Sequence, residues 1–138
     1  MQSQGKIRFI GLSNVTKEHV ERALKMVPIV SVQNRYSFAD QEWDYLVDYC
    51  EQNGIAFIPW YPLAAGKVAG AALDRISAAH QAIPIQVALA WLLKRSPVML
   101  PIPGTSSSAH LEENMQAGSL ELTEQEYTEL ASAGSTRS

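Results

Sequence analysis

The feature that most constrains the fold of this 138-residue chain is a regular alternation of short apolar runs with stretches of helical periodicity. Four runs read as strands, at residues 7–12, 29–33, 55–61 and 98–102. Between them, apolar residues recur at i, i+3, i+4 and i+7, as in the series Val20, Ala23, Leu24 and Val27. Continuous apolar runs are typical of parallel strands that helices cover on both faces. The pattern therefore predicts an α/β fold with a parallel sheet.

Several residues mark where the predicted helices begin. Thr16 caps the first helix, and Asp40 opens the second. Pro84 stands at the start of a helix that is apolar nearly all round, which predicts a deeply covered element. Thr123 and Glu126 have the spacing of a capping box at the start of the last helix. Each strand is thus followed by a helical segment.

Four strand and helix units are half of what a closed barrel requires. A (β/α)8 barrel needs eight strands and roughly 250 residues. No linker or change of composition divides the sequence, so we expect residues 1–138 to form one domain. The expected fold class is α/β, the parallel (β/α) half of a TIM-type barrel, with four strands and their covering helices. The segment MQSQGKIR at Met1 reads like the end of a helix leading into a strand, so the chain is expected to begin in mid-barrel.

Composition excludes several classes of function. A net charge of -3 without a basic stripe argues against nucleic acid as a partner. No apolar run approaches membrane-spanning length, and the N-terminus lacks the apolar core of a signal peptide. The single cysteine, Cys50, falls on the apolar stripe of a helix, which favours a buried structural thiol over a nucleophile. We therefore expect a cytoplasmic protein without membrane contact.

A candidate phosphate site lies where the fourth run leads into a helix. Free N–H groups at a helix N-terminus attract phosphate, and the hydroxyls of Ser106 and Ser107 would strengthen that attraction. Glu113 and Asn114 follow two turns later, where a carboxylate and an amide could hydrogen-bond an adenine edge. This segment predicts the binding of an adenine nucleotide and supplies no chemistry of its own.

Polar and aromatic residues also gather where the other strands end. Ser13, Asn14 and Gln33 offer donors and acceptors that match a flat carboxamide, and Trp60 could stack on a planar ring. Each has an ordinary alternative: a turn and cap for Ser13 and Asn14, backbone bonding for Gln33, and packing for Trp60. In a barrel these ends meet on one face, where ligands bind, and this convergence favours a ligand site.

In its motifs the sequence resembles the aldo-keto reductase family over nearly its whole length. The resemblance is to the C-terminal half of that barrel, strands five to eight, and six blocks in the family's order carry it: residues 5–14, 30–37, 54–66, 86–93, 100–114 and 120–130. The resemblance implies a nicotinamide dinucleotide as cofactor and the reduction of a carbonyl by hydride transfer in the intact enzyme.

The resemblance also implies roles for individual residues. Ser13, Asn14 and Gln33 would bind the nicotinamide carboxamide, Trp60 would stack on its ring, and Pro62 and Leu63 would cover the pyrophosphate. The residues implied around the adenosine end are Thr105, Ser106, Ser107 and His110 at the 2′-phosphate, with Glu113 and Asn114 at adenine. Many members have a Lys where Gly104 stands and an Arg where His110 stands. NADP(H) is therefore the expected cofactor, with NAD(H) as the alternative.

The family's catalytic residues have no counterpart in this sequence. In that family, a Tyr acts as the general acid, a Lys–Asp pair lowers the pKa of this Tyr, and a His orients the carbonyl. All four residues come from the N-terminal half of the barrel. We therefore predict no catalytic residue and no metal site here. The first hypothesis is the cofactor-binding half of a reductase, inactive by itself. The second is a non-catalytic half-barrel that assembles as a homodimer or with a separate N-terminal half, and the third is a fragment that folds poorly and has no function of its own.

Overall fold

A three-stranded parallel sheet forms the centre of the fold in the computed structural model, which describes residues 1–62 and 70–135. Its strands lie in the order β1 (Gly11–Ser13), β2 (Ser31–Arg35) and β3 (Ala56–Trp60). Ser13 pairs with Gln33, and Arg35 pairs with Trp60. The predicted α/β fold with a parallel sheet is confirmed.

Six helices accompany the sheet in the described part of the chain. They are α1 (Lys17–Leu24), α2 (Asp44–Gln52), α3 (Ala71–Ala79), α4 (Pro84–Arg95), α5 (Ser108–Gln116) and α6 (Glu124–Ser135), with 3-10 turns at Gln2–Gln4 and Ala117–Ser119. The Thr16 N–H donates to His19 Nδ1 at 3.2 Å at the start of α1. Glu126 Oε2 accepts from the Thr123 N–H at 2.8 Å, as the predicted capping box requires. Pro84 is the first residue of α4, as predicted.

The fourth predicted strand, residues 98–102, is not a strand in the structure. Only Met99 pairs with β3, through an isolated parallel bridge to Phe57. The Phe57 N–H donates to Val98 O at 2.9 Å, and the Leu100 N–H donates to Phe57 O at 2.8 Å. The next bond of a parallel ladder would need an N–H on Pro59, and proline has none. The prediction of four strands is therefore wrong by one, although this run does lie along the edge of β3.

The second helix begins four residues later than Asp40 suggested. Asp40 forms a two-residue antiparallel bridge with Ser37, and its carboxylate accepts from Arg35 Nε at 2.8 Å. These bonds hold Asp40 in a turn. Because its carboxylate is bonded to Arg35, it does not cap a helix. Helix α2 starts at Asp44 instead.

The core lies between one face of the sheet and the helices. Val32 and Phe57 point to this face and are fully buried, as is Trp91 of α4. The Trp91 ring stacks on Tyr36 and on Tyr127, with centroids 6.1 Å and 5.2 Å apart. Gln33 and Ile58, which point to the opposite face, stay partly exposed. The sheet thus has one packed face and one open face.

Membrane-spanning length is not reached by any single helix among the described residues. Helices α3 and α4 meet the length and composition of a span only when taken together, and their axes bend by 93° at the break between them.

Candidate functional site

The carboxyl ends of β1, β2 and β3 bring four of the predicted residues together. Because Ser13 and Gln33 are paired across two parallel strands, their side chains emerge on the same open face. Asn14 follows β1 in the left-handed conformation, with φ 53°, and its N–H donates to Gln33 O at 2.9 Å. The Trp60 indole N–H donates to Asn14 Oδ1 at 3.0 Å. These contacts join the ends of all three strands in one cluster.

Asn34, which is not among the predicted site residues, supports the site from the packed face of the sheet. Its side chain is buried and bonds the backbone of Val15 twice: Nδ2 donates to Val15 O at 2.8 Å, and Oδ1 accepts from the Val15 N–H at 3.1 Å. This pair of bonds holds the loop that carries Asn14. A polar residue at a position where the strand alternation requires an inward side chain was the available signal.

Arg35 is a second residue missing from the predicted site. It stands two residues after Gln33 and therefore points to the same open face of β2. Its guanidinium lies over the Tyr61 ring, 5.3 Å from the centroid, while its Nε bonds Asp40. The open face thus carries one cation next to Trp60, its partner in the strand register.

Tyr36 lies next to this face in sequence but is not part of it. Its ring is fully buried, and its hydroxyl donates to Asp44 Oδ1, an atom that also accepts from Arg95 Nε at 2.9 Å. Burial and the Asp44 carboxylate raise the pKa of Tyr36 far above its ordinary value. The phenol is therefore a structural donor that no ligand on the open face can reach.

The residues predicted at the pyrophosphate are described only in part. Pro62 is buried directly after Tyr61, which has the left-handed φ of 62°. Leu63 lies outside the described residues.

The start of α5 is a capped helix end with several exposed hydroxyls. Ser107 is its N-cap and accepts from the His110 N–H at 3.4 Å, while Thr105 Oγ1 accepts from the Ser107 N–H at 3.1 Å. Two of the hydroxyls predicted to bind phosphate, those of Thr105 and Ser107, thus already accept hydrogen bonds from backbone N–H groups. Ser106 and His110 are both exposed. The arrangement can receive an anion through hydroxyls and helix N–H groups.

Glu113 and Asn114 are half-buried on α5, away from its start. The Glu113 carbonyl accepts from Gln86 Nε2 at 3.0 Å, and this bond ties α5 to α4. Asn114 lines a cavity of about 420 Å³ together with the apolar side chains of Leu93, Leu111 and Met115. The predicted adenine contacts therefore lie beside an apolar groove.

Other titratable residues lie away from the open face. No group of three or more His, Cys, Asp or Glu side chains that could hold a metal occurs among the described residues. Cys50 is buried, as predicted, and burial raises its pKa to about 11. His80 Nε2 lies 2.9 Å from Glu126 Oε1, and so it links the end of α3 to α6. These contacts are structural.

Comparison with known proteins gives one consistent result. The model of the aldo/keto reductase family matches residues 1–135. An uncharacterized oxidoreductase of Schizosaccharomyces pombe is 46% identical over 136 residues, which are 97% of this chain and 44% of that protein. Pyridoxine 4-dehydrogenase of Escherichia coli is 48% identical over 126 residues, which are 91% of this chain and 44% of the enzyme. The chain thus spans less than half the length of these relatives.

Solved structures show the same relation. The thermostable aldo-keto reductase Tm1743, crystallised with the inhibitor epalrestat, superposes with a TM-score of 0.89 at 32% identity over 96% of this chain and 50% of that one. An aldo-keto reductase of Klebsiella pneumoniae in complex with NADPH gives a TM-score of 0.85 at 25% identity over 94% of this chain and 49% of that one. The described fold is therefore that of about half of such an enzyme.

Proposed function

This chain belongs to the aldo/keto reductase family, and from that premise we propose that it is the C-terminal half of the barrel and binds the nicotinamide dinucleotide. The observation that carries the proposal is the cluster at the strand ends, where Asn14, Gln33 and Trp60 converge on the open face. The Klebsiella pneumoniae relative was crystallised with NADPH. A nicotinamide cofactor is the ligand that this cluster suits best.

The nicotinamide end fits the open face of the sheet. The carboxamide has one acceptor oxygen and one donor NH2, and Ser13, Asn14 and Gln33 offer groups of both kinds at adjacent strand ends. The half-exposed Trp60 ring, joined to Asn14 at 3.0 Å, would stack on the pyridine ring. Pro62 and Leu63 would then lie along the pyrophosphate.

The adenosine end fits the start of α5. Thr105, Ser106, Ser107 and His110 would surround the 2′-phosphate, because hydroxyl donors and free helix N–H groups favour an anion there. The apolar groove beside Asn114 offers surface for adenine, with Glu113 and Asn114 at its polar edge. We propose NADP(H) as the cofactor and NAD(H) as its competitor.

The reaction itself would belong to the intact enzyme. The cofactor, when bound, would supply a hydride to a carbonyl carbon, while Ser13, Asn14 and Gln33 would orient its nicotinamide and Trp60 would cover one face of the ring. In the family that this sequence resembles, the group that protonates the carbonyl oxygen lies in the other half. Because general-acid catalysis contributes about 10² to 10⁴ in rate, we expect the chain alone to show little or no turnover.

Titration of the chain with NADPH, followed by its fluorescence, tests the proposal. We expect saturable binding that Gln33→Ala weakens by about 5- to 10-fold, since one hydrogen bond contributes about 1 kcal/mol. Gln52→Ala, at an exposed position of α2, is the matched control and should bind as the wild type does. Absence of saturation would contradict cofactor binding, and robust carbonyl reduction by the chain alone would contradict the expected inactivity.

His110→Ala separates the two cofactors. It should weaken NADPH binding while leaving NADH binding unchanged, because only NADPH carries the 2′-phosphate. Equal weakening of both would place His110 elsewhere than at that phosphate.

A second candidate function is assembly of a barrel from two segments, and exposed apolar side chains at both edges of the sheet favour it. Phe9, two residues before β1, is 70% exposed, and Met26, just after α1, is 84% exposed. Leu100, which bonds β3, and Met115 of α5 are 54% and 72% exposed. Apolar patches of this kind are association surfaces. Light scattering after size-exclusion chromatography should show a dimer if the chain pairs with itself, and a stable monomer would contradict self-assembly.

A further inference from the structure

The contact between Trp60 and Asn14 fixes which way the Asn14 amide points. The Trp60 indole nitrogen lies 3.0 Å from Asn14 Oδ1. An indole N–H is a donor only, so the Asn14 atom facing it must be the carbonyl oxygen. The NH2 group of Asn14 is then turned away from Trp60, and it donates to no group among residues 1–62 and 70–135.

The backbone of Asn14 is held in place at the end of β1. Its φ of 53° and the bond from its N–H to Gln33 O, at 2.9 Å, hold the residue at the end of β1. The following residue, Val15, is held at both its N–H and its carbonyl by Asn34. On this fixed backbone, the Trp60 N–H selects the orientation of the Asn14 amide in which Oδ1 faces the indole.

We propose that Trp60 is a positioning residue that makes Asn14 a hydrogen-bond donor toward the carboxamide oxygen of the nicotinamide. This rests on the proposed function, since it assumes that the carboxamide lies at Asn14. Trp60 then has two separate tasks: its ring covers the pyridine, and its N–H sets the polarity of Asn14. A ligand must therefore present an acceptor at this point to bind well.

Phenylalanine at position 60 separates the two tasks. It keeps an aromatic surface but has no N–H, so the Asn14 amide loses the partner that orients it. An amide that is free to rotate presents either its donor or its acceptor, and the preference for an acceptor on the ligand declines. A residue that acted only through its ring surface would leave that preference unchanged.

The test compares three probes on the wild type and on Trp60→Phe. NADP⁺ has a strong oxygen acceptor, its thionicotinamide analogue has a weak sulfur acceptor, and 2′,5′-ADP has no nicotinamide. We expect the wild type to prefer NADP⁺ over the thio analogue, and Trp60→Phe to lose about 5-fold of that preference, the size of one neutral hydrogen bond. Binding of 2′,5′-ADP should be unchanged, which shows that the variant is folded.

A double-variant cycle completes the test. In an Asn14→Ala background, Trp60→Phe should have no further effect on the preference, because no amide is left to orient. Equal losses for NADP⁺ and the thio analogue in Trp60→Phe would overturn the inference while leaving the proposed function intact. If the wild type binds none of the three probes, both the inference and the proposed function are overturned.

Discussion

Replacement of Asn34 by alanine should destabilise the chain more than any other change of a polar residue on β2. The amide is 1% exposed and joins β2 to the loop after β1 through two bonds to Val15, at 2.8 Å and 3.1 Å. Alanine removes both bonds and leaves the N–H and the carbonyl of Val15 without these partners. The loop that presents Asn14 would then lose its attachment to the sheet.

The magnitude follows from those two bonds. Each neutral hydrogen bond contributes about 0.5–1.5 kcal/mol net, and a buried group left unsatisfied adds to the loss. Val15 is only partly buried, so water can replace some of the lost bonding. We expect the free energy of unfolding to fall by about 2–4 kcal/mol. For 138 residues, with about 2.1 cal/mol/K of unfolding entropy per residue, a loss of 3 kcal/mol lowers the Tm by about 10 °C.

Urea denaturation followed by circular dichroism measures this loss. Gln33→Ala is the matched control, because Gln33 is the adjacent residue of the same strand and points to the open face. It should change stability by less than about 0.5 kcal/mol, as surface substitutions do. An Asn34→Ala variant as stable as the control, with an unchanged denaturant slope, would refute the view that this amide anchors the loop.

Three further predictions concern single sites. The Cys50 thiol, whose pKa burial raises to about 11, should react with an aromatic disulfide reagent at pH 8 only after unfolding, and fast labelling of the native chain would contradict its burial. Hydrogen bonds from Thr123 lower the pKa of Glu126 below its ordinary value, so its stabilisation is present at neutral pH and lost as the pH falls through the lowered pKa. Glu126→Gln should therefore be less stable than the wild type at pH 7, with a gap in urea midpoints that closes in acid, and a constant gap would contradict that linkage. A Cβ on Gly11 would lie 2.3 Å from Ser31 Oγ, so Gly11→Ala should lose about 1–3 kcal/mol and Gly11→Ala with Ser31→Ala should regain most of it, as thermal unfolding would show.

The local signals of the sequence located most helices because each signal is a contact between near neighbours. Pro84 and the box of Thr123 and Glu126 depend on residues within one turn, and the structure has both. The predicted helix start at Asp40 is wrong because of a contact that reaches beyond one helical turn. The Asp40 carboxylate is engaged by Arg35, whose position on the open face depends on the strand register.

The strand count shows the same limit. The apolar run at residues 98–102 has the composition of a strand, but a run forms a strand only if the neighbouring strand can hydrogen-bond to it. The N–H donor that is missing here would belong to Pro59 of β3, about forty residues earlier in the sequence. Of the predicted site, the pairing of Ser13 with Gln33 follows from parallel strands. The inward side chain of Asn34 follows from the strand alternation, but its two bonds to Val15 depend on how the loop after β1 lies against β2, which the sequence pattern does not show.

Pro59 lies between the two parts of the candidate cofactor site, which are held by different elements of the fold. The ladder bond that would follow the one from Leu100 lacks its donor at Pro59, and the segment with Thr105 and Ser107 leads into α5, which Gln86 of α4 bonds at the Glu113 carbonyl. The nicotinamide of the proposed cofactor would lie on the strand ends, and its 2′-phosphate would lie at the start of α5. A dinucleotide bound as proposed would therefore contact the strands at its nicotinamide end and helix α5 at its adenosine end, so its two ends would depend on different elements of the fold.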